Sequence, residues 1–263
     1  MELRVLAIGD IVGRPGREII SRCLSNLVQR HGIDFVIANA ENASGGSGIT
    51  PKEADELFKQ GIDVLTAGDH VWAKKDIVPY IHRQIRLLRP ANYPQEAPGR
   101  GASMFVTSRG ISVGVIHVQG RIYMGTPADC PFKTARRWAE EFRKSTSVIL
   151  LDMHAEATSE KIAIGWYMDG VTSFVFGTHT HVQTADERIL PHGTAYITDI
   201  GMTGPYDSII GRRIDRVLHK FITQMPSHFE VATNNVWLCG AMVTIQVETG
   251  QAIEIKRIAL PSL

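Results

Sequence analysis

Cysteine is scarce in this sequence, with Cys23, Cys130 and Cys239 the three thiols among 263 residues. The number is odd, the spacing is wide and no C-x-x-C occurs, which excludes a disulfide framework and points to a reducing compartment. No apolar run approaches the roughly 18 uninterrupted residues of a membrane span, so no membrane partner is expected. Neither sign of charge is in excess: 28 Lys plus Arg stand against 27 Asp plus Glu, a net charge of +1. That balance removes any general attraction towards nucleic acid or anionic membrane, so an anionic ligand must be held locally. Met1-Glu2-Leu3-Arg4 leads directly into a strand pattern with no charged leader or cleavage site, and a cytoplasmic protein is expected. The loop Gly13-Arg14-Pro15-Gly16 lacks both G-x-G-x-x-G and G-x-x-x-x-G-K-[ST]; it reads as a tight turn into a helix rather than a phosphate cradle.

What is present is a 44% apolar chain long enough to bury a large core. Residues 3–8 form a nearly continuous apolar run ended by Gly9-Asp10, the pattern of a buried parallel strand. Ile19, Ile20, Cys23, Leu24, Leu27 and Val28 then make one helical stripe, closed by Gly32. Residues 34–38 and 64–67 read as further strands. Between them lies a helix over 51–60, with Thr50 as N-cap, Pro51 in the first turn and Gly61 as the stop. Such strand–loop–helix units predict a right-handed parallel sheet whose ligands bind beyond the strands' carboxyl ends. The spacing further predicts an antiparallel pair over 103–108 and 111–118, a helix carrying Ala135, Trp138 and Phe142, a strand over 148–151 and a helix over 159–168. Strands follow at 174–176, 195–198, 236–238, 242–247 and 253–258, with an amphipathic helix over 209–221. The C-terminal strands either complete the sheet or form an interface giving a homo-oligomer. No repeat or linker divides the chain, so residues 1–263 are expected to form one α/β domain with a two-layer β-sheet core flanked by helices.

The residues just past five successive strands share one chemistry. They are Asp10; Glu41 with Asn42; Asp69 with His70; His154; and His179 with His181 in Gly177-Thr178-His179-Thr180-His181. Carboxylate, imidazole and amide donors that keep falling at the same structural position exceed what one metal accepts and suit two ions bridged by a carboxylate. Elsewhere, His117 reads as a satisfied structural histidine. Asp152 and Glu156 are open between orienting the imidazole of His154 and lying at the surface. The arginines at 83, 86, 89 and 100 read as a solvated, partly salt-bridged face.

Gly9-Asp10, Asn39-Ala40-Glu41-Asn42, Gly68-Asp69-His70, Asp152-Met153-His154 and the His179/His181 block resemble, in order and spacing, the five blocks of the calcineurin-like binuclear metallophosphoesterases. The YmdB-like branch is most similar, with Glu at the bridging position, and Asp199-Ile200-Gly201-Met202-Thr203-Gly204-Pro205 resembles its downstream motif. The resemblance implies an αββα sandwich and a first ion held by Asp10, Asn42 and His181. Glu41 would bridge to a second ion held by Asp69, His154 and His179, with His70 as the catalytic histidine. It implies metal-dependent hydrolysis of phosphodiesters by a shared hydroxide, 2′,3′-cyclic nucleotides as a substrate class, and Fe, Mn or Zn as the ions. Two other outcomes are weighed beside it: a metal-containing, nucleotide-binding regulator with little turnover, and a phosphomonoesterase. One position departs from the pattern, because Asp69 stands where the branch has Asn. An ionised carboxylate only accepts hydrogen bonds and removes one unit of positive charge, which is expected to raise the pKa of the shared water and weaken phosphate binding.

Overall fold

Strand β1 (Glu2–Ile8) is apolar on both faces, and the two faces meet different neighbours. Leu3, Val5 and Ala7 share a core with Phe35, Val113, Val148 and Phe174, whereas Leu6 and Ile8 share one with Ile20, Leu24 and Leu57. Successive strand side chains point to opposite faces, so a strand buried on both sides must lie between two layers. The computed structural model, which describes residues 1–262, builds that arrangement throughout.

The chain continues through β2 (Asp10–Ile11), α1 (Gly13–His31), β3 (Phe35–Asn39), α2 (Pro51–Lys59), β4 (Val64–Thr66), α3 (Ile77–Ile81) and β5 (Leu87–Leu88). It then crosses to a second sheet through β6 (Ala102–Val106), β7 (Ser112–Gln119), α4 (Pro131–Phe142), β8 (Val148–His154), α5 (Thr158–Tyr167), β9 (Phe174–Thr178), β10 (Arg188–Ile189) and β11 (Ala195–Ile197). The return to the first sheet is made by β12 (Met202–Pro205), α6 (Ile214–Thr223), β13 (Val236–Gln246) and β14 (Ala252–Pro261). The first sheet runs β2-β12-β13-β1-β3-β4-β5, with β14 also on β13, and the second runs β10-β11-β9-β8-β7-β6. Within them β1, β3, β4 and β5 are mutually parallel, as are β7, β8, β9 and β11.

Three cores hold the layers together. Helices α1 and α2 cover the outer face of the first sheet, α4 and α5 cover the outer face of the second, and the inner faces meet each other. This is the two-layer sandwich flanked by helices that the sequence predicts. Local signals are realised as well: Thr50 and Glu53 form a reciprocal capping box at α2, and Gly32 ends α1 in the left-handed region at φ 60°.

Some expectations are revised. The stretches at 236–238 and 242–247 are one strand, β13, bonded to both β1 and β14, so the C-terminal strands complete the sheet. The helix expected over 209–221 begins only at Ile214, because Ile210 (φ 46°) and Gly211 (φ 93°) form a turn ahead of it. Arg89 is buried rather than solvated, donating to the carbonyls of Pro90, Pro94, Ala97 and Pro98, and Arg86 stacks 4.2 Å over Phe58.

The inter-sheet core sets stability. Ile37→Ala, at a fully buried site on β3, is expected to cost about 2–5 kcal/mol in urea unfolding. Val106→Ala on the exposed edge of β6 should cost no more than about 0.5 kcal/mol. Equal losses at the two sites would contradict the layer assignment.

Candidate metal centre

Both sheets deliver their carboxyl ends to one place. From the first come Asp10, in β2 just beyond β1, Glu41 and Asn42 two and three residues past β3, and Asp69 and His70 after β4. From the second come His154, the last residue of β8, and His179 and His181 beyond β9. The sheets are stitched at this point, since the His179 N–H donates to Asp10 Oδ2 at 3.1 Å.

Ligand atoms converge in two groups, one of Glu41, Asp69, His154 and His179, the other of Asp10, Glu41 and His181, and Glu41 belongs to both. His154 Nε2 lies 3.0 Å from Glu41 Oε2, 3.0 Å from Asp69 Oδ1 and 3.2 Å from His179 Nδ1. Such spacings are those of donors around a common ion roughly 2.1 Å from each. In the second group, His181 Nε2 stands 3.8 Å from Asp10 Oδ1. Asn42 spans the two, its Nδ2 on Glu41 Oε1 at 2.8 Å and on His181 Nε2 at 3.1 Å. The Asn42 carbonyl oxygen faces His70 Nδ1 at 3.0 Å, so using it as a ligand requires half a turn of the amide. His70 is the most open member, with 40% of its side chain exposed against 1% for Glu41.

The donor set fits a cation. Asp10 Oδ1 is buried without a hydrogen-bond partner, and an orphaned carboxylate oxygen in an apolar sandwich is costly unless a positive charge meets it. Burial pushes the Asp10 carboxyl up to about 8, with the negative charges of Glu41 and Asp199 adding to it against the pull of His154. Burial disfavours a charged His154, yet the Glu41 and Asp69 carboxylates outweigh it and hold the imidazole well above its ordinary range. Asp69 moves the other way: burial opposes ionisation, but bonds from His154 and His179 keep it well below the usual carboxylate range. His154 Nε2 thus stands between two carboxylates, at the place where a cation would be shared with them.

The surroundings fix these groups. His154 Nδ1 bonds Thr178 Oγ1 at 2.9 Å, and the Thr178 hydroxyl donates to Asp152 Oδ1 at 2.8 Å, which leaves Nε2 facing the site. Asp152 is therefore an orienting partner, not a surface carboxylate, while Glu156 is half exposed with Oε2 3.3 Å from His179 Nε2. His117 is fully buried, its Nδ1 3.1 Å from Asp152 Oδ2 and its Nε2 accepting the Gly68 N–H at 3.1 Å. It so braces the loop that carries Asp69 and His70, a role its spacing along the chain does not announce. Gly68 is obligatory: at φ 45°, a Cβ would lie 2.0 Å from Glu41 Oε2. His181 donates from Nδ1 to the Ile210 carbonyl at 3.0 Å, the contact that the turn before α6 supplies.

Comparison with known proteins finds relatives that span nearly the whole chain. The family model described as YmdB-like protein matches residues 6–258. The chain is 46% identical over 258 residues to a 2′,3′-cyclic-nucleotide 2′-phosphodiesterase of Bacillus subtilis, covering 98% of this chain and 97% of that protein. The crystal structure of a hypothetical protein from Thermus thermophilus superposes with a TM-score of 0.92 at 37% identity, covering 99% of this chain and 100% of the other. A crystal structure described as a novel phosphatase from Mycoplasma pneumoniae superposes at 0.93 and 31% identity, covering 99% and 94%.

A cation held by the folded state alone stabilises it by mass action, about 2.7 kcal/mol at a hundred times its dissociation constant. Chelator treatment is expected to lower the thermal midpoint by several degrees, and Mn²⁺ to restore it. A midpoint indifferent to both would contradict a cation site here.

Proposed function

The chain belongs to the YmdB-like family of metallophosphoesterases, and we propose that it acts as a single domain over residues 1–263, a binuclear metal-dependent phosphodiesterase hydrolysing 2′,3′-cyclic nucleotides. The observation that carries the binuclear reading is Glu41, whose carboxylate stands in both groups of donors. Asp69, His154 and His179 complete one ion's shell with it, and Asp10, His181 and Asn42 the other's. Fe, Mn and Zn all suit mixed imidazole and carboxylate donors. Three free cysteines support placing the protein in the reducing cytoplasm. No described helix is long and apolar enough to cross a membrane.

Two ions held there supply a water of lowered pKa as nucleophile and a positive clamp for the phosphoryl oxygens. The residues supply the rest. His70 stands at the open side of the donor cluster, where a substrate has access to it. Once the Asn42 amide has turned its oxygen to an ion, its Nδ2 donates to His70 Nδ1, and Nε2 is the nitrogen left to protonate the departing alkoxide. Asn42 thereby joins the proton donor to the ion's shell that it completes. Buried walls of β-sheet on either side keep bulk water from Asp10, Glu41 and His154 and strengthen the charge interactions among them.

Two substitutions test the reading. His70→Ala should leave metal content unchanged and reduce kcat on 2′,3′-cyclic AMP and bis-p-nitrophenyl phosphate by roughly 10²- to 10⁴-fold. Nucleotide binding without product in the parent protein would instead indicate the regulator, and a preference for terminal phosphates the monoesterase. Asp69→Asn restores one unit of positive charge, so KM should fall and the acidic limb of the pH–rate profile should move to lower pH. Unchanged KM, kcat and profile would contradict the charge effect expected of Asp69.

A further inference from the structure

The segment from Asp199 to Pro205 carries none of the donors described above, yet Asp199 is fully buried immediately behind them. Its Oδ2 accepts from Thr180 Oγ1 at 2.6 Å, from the Thr180 N–H at 3.3 Å and from Lys161 Nζ at 2.7 Å, and its Oδ1 accepts from the Gly201 N–H at 2.8 Å. Lys161, on α5, is itself 1% exposed, and Nζ also reaches Thr180 Oγ1 at 3.4 Å. The lysine stem passes beneath Gly177, where a Cβ would meet Lys161 Cδ at 2.8 Å, so the glycine in front of the histidine block leaves it room.

Thr180 is the residue between the two histidines. His179 belongs to the donor group with Asp69 and His154, and His181 to the group with Asp10. Both have left-handed backbones, φ 95° and φ 64°, a region that non-glycine residues occupy only when the surroundings hold them there. A buried ion pair is weak evidence for stability, since apolar replacements of similar volume are often neutral or better. What this pair supplies is a fixed anchor for Thr180.

Resting on the binuclear reading above, we propose that Lys161 and Asp199 are positioning residues, a buried clamp that holds Thr180 and through it sets both histidine ligands, so that the affinities of the two ions are coupled. Residues that orient metal ligands typically change affinity 10- to 100-fold when replaced. The distinguishing feature is that the loss falls on both ions together, because one pivot serves both shells.

The test is calorimetric titration of metal-stripped protein with Mn²⁺, alongside the thermal midpoint of the same metal-stripped samples. Thr180→Val deletes one hydroxyl at a half-buried site and should keep the metal-free midpoint while weakening both binding events about 10-fold or more. Thr180→Ser, which retains the hydroxyl, should bind as the parent does. Lys161→Met should weaken both events further; if it does not fold, Thr180→Val decides alone. Thr180→Val binding both ions like the parent, or weakening only one, overturns the clamp. A parent protein that takes up fewer than two ions overturns the binuclear reading first, and the clamp with it.

Discussion

A pair of buried acidic side chains inside a β-sandwich, Asp10 and Glu41, is the constraint to which the rest of this structure answers. Asp10 and Glu41 are both buried beyond the reach of bulk water, and Asp10 Oδ1 has no hydrogen-bond partner. Taking such charges out of water costs several kcal/mol each after relaxation, so they persist only where a counter-charge is supplied. The need for that counter-charge shows in the neighbouring groups: the Glu41 and Asp69 carboxylates hold His154 well above its ordinary range, and burial raises Asp10. Metal ions would supply it, and the donors are already spaced for them.

The layer architecture explains why the site sits where it does. Parallel strands release their carboxyl ends on one edge, and two mixed sheets that each contain a run of parallel strands, packed face to face, bring two such edges together. Carboxylates, an amide and His70 arrive from the first sheet, the imidazoles of His154, His179 and His181 from the second, and the His179 N–H on Asp10 joins them. Several of these groups rest on short chains of contacts: buried Thr178 and Asp152 behind His154, buried His117 behind the Gly68 loop, and the Ile210 carbonyl behind His181. The same apolar layers that stabilise the fold therefore fix the ligand geometry, and leave His70 exposed enough to meet a substrate.

Much of this was legible in the sequence because its signals are local. Apolar runs such as Val148 to Leu151 end in a chemically distinctive residue, and the periodicity of Ile19 to Val28 shows that a helix covers the sheet. The eight candidate residues could be named because each follows its strand within a few positions. What stayed hidden depends on contacts distant in the chain. His117 pairs with Asp152 and Gly68, 35 and 49 residues away, so a lone histidine at a strand end carries no sign of its role. Lys161 and Asp199 are 38 residues apart, and a helical lysine ordinarily faces solvent. Strands as short as β2, β5 and β10 have two residues each, too few for a period, and exist only because a longer neighbour pairs with them. The turn at Ile210 was masked by an apolar pattern that continues into α6, although a carbonyl is needed there to fix His181.

The central claim is that one carboxylate, Glu41, holds two ions between the sheets. Anomalous diffraction at the metal absorption edges, from crystals of the protein reconstituted with Mn²⁺, tests it most directly. Two peaks about 3.5–4 Å apart are expected, as in two-metal sites, with Glu41 touching both. A single peak, or two peaks of which Glu41 touches only one, would contradict it.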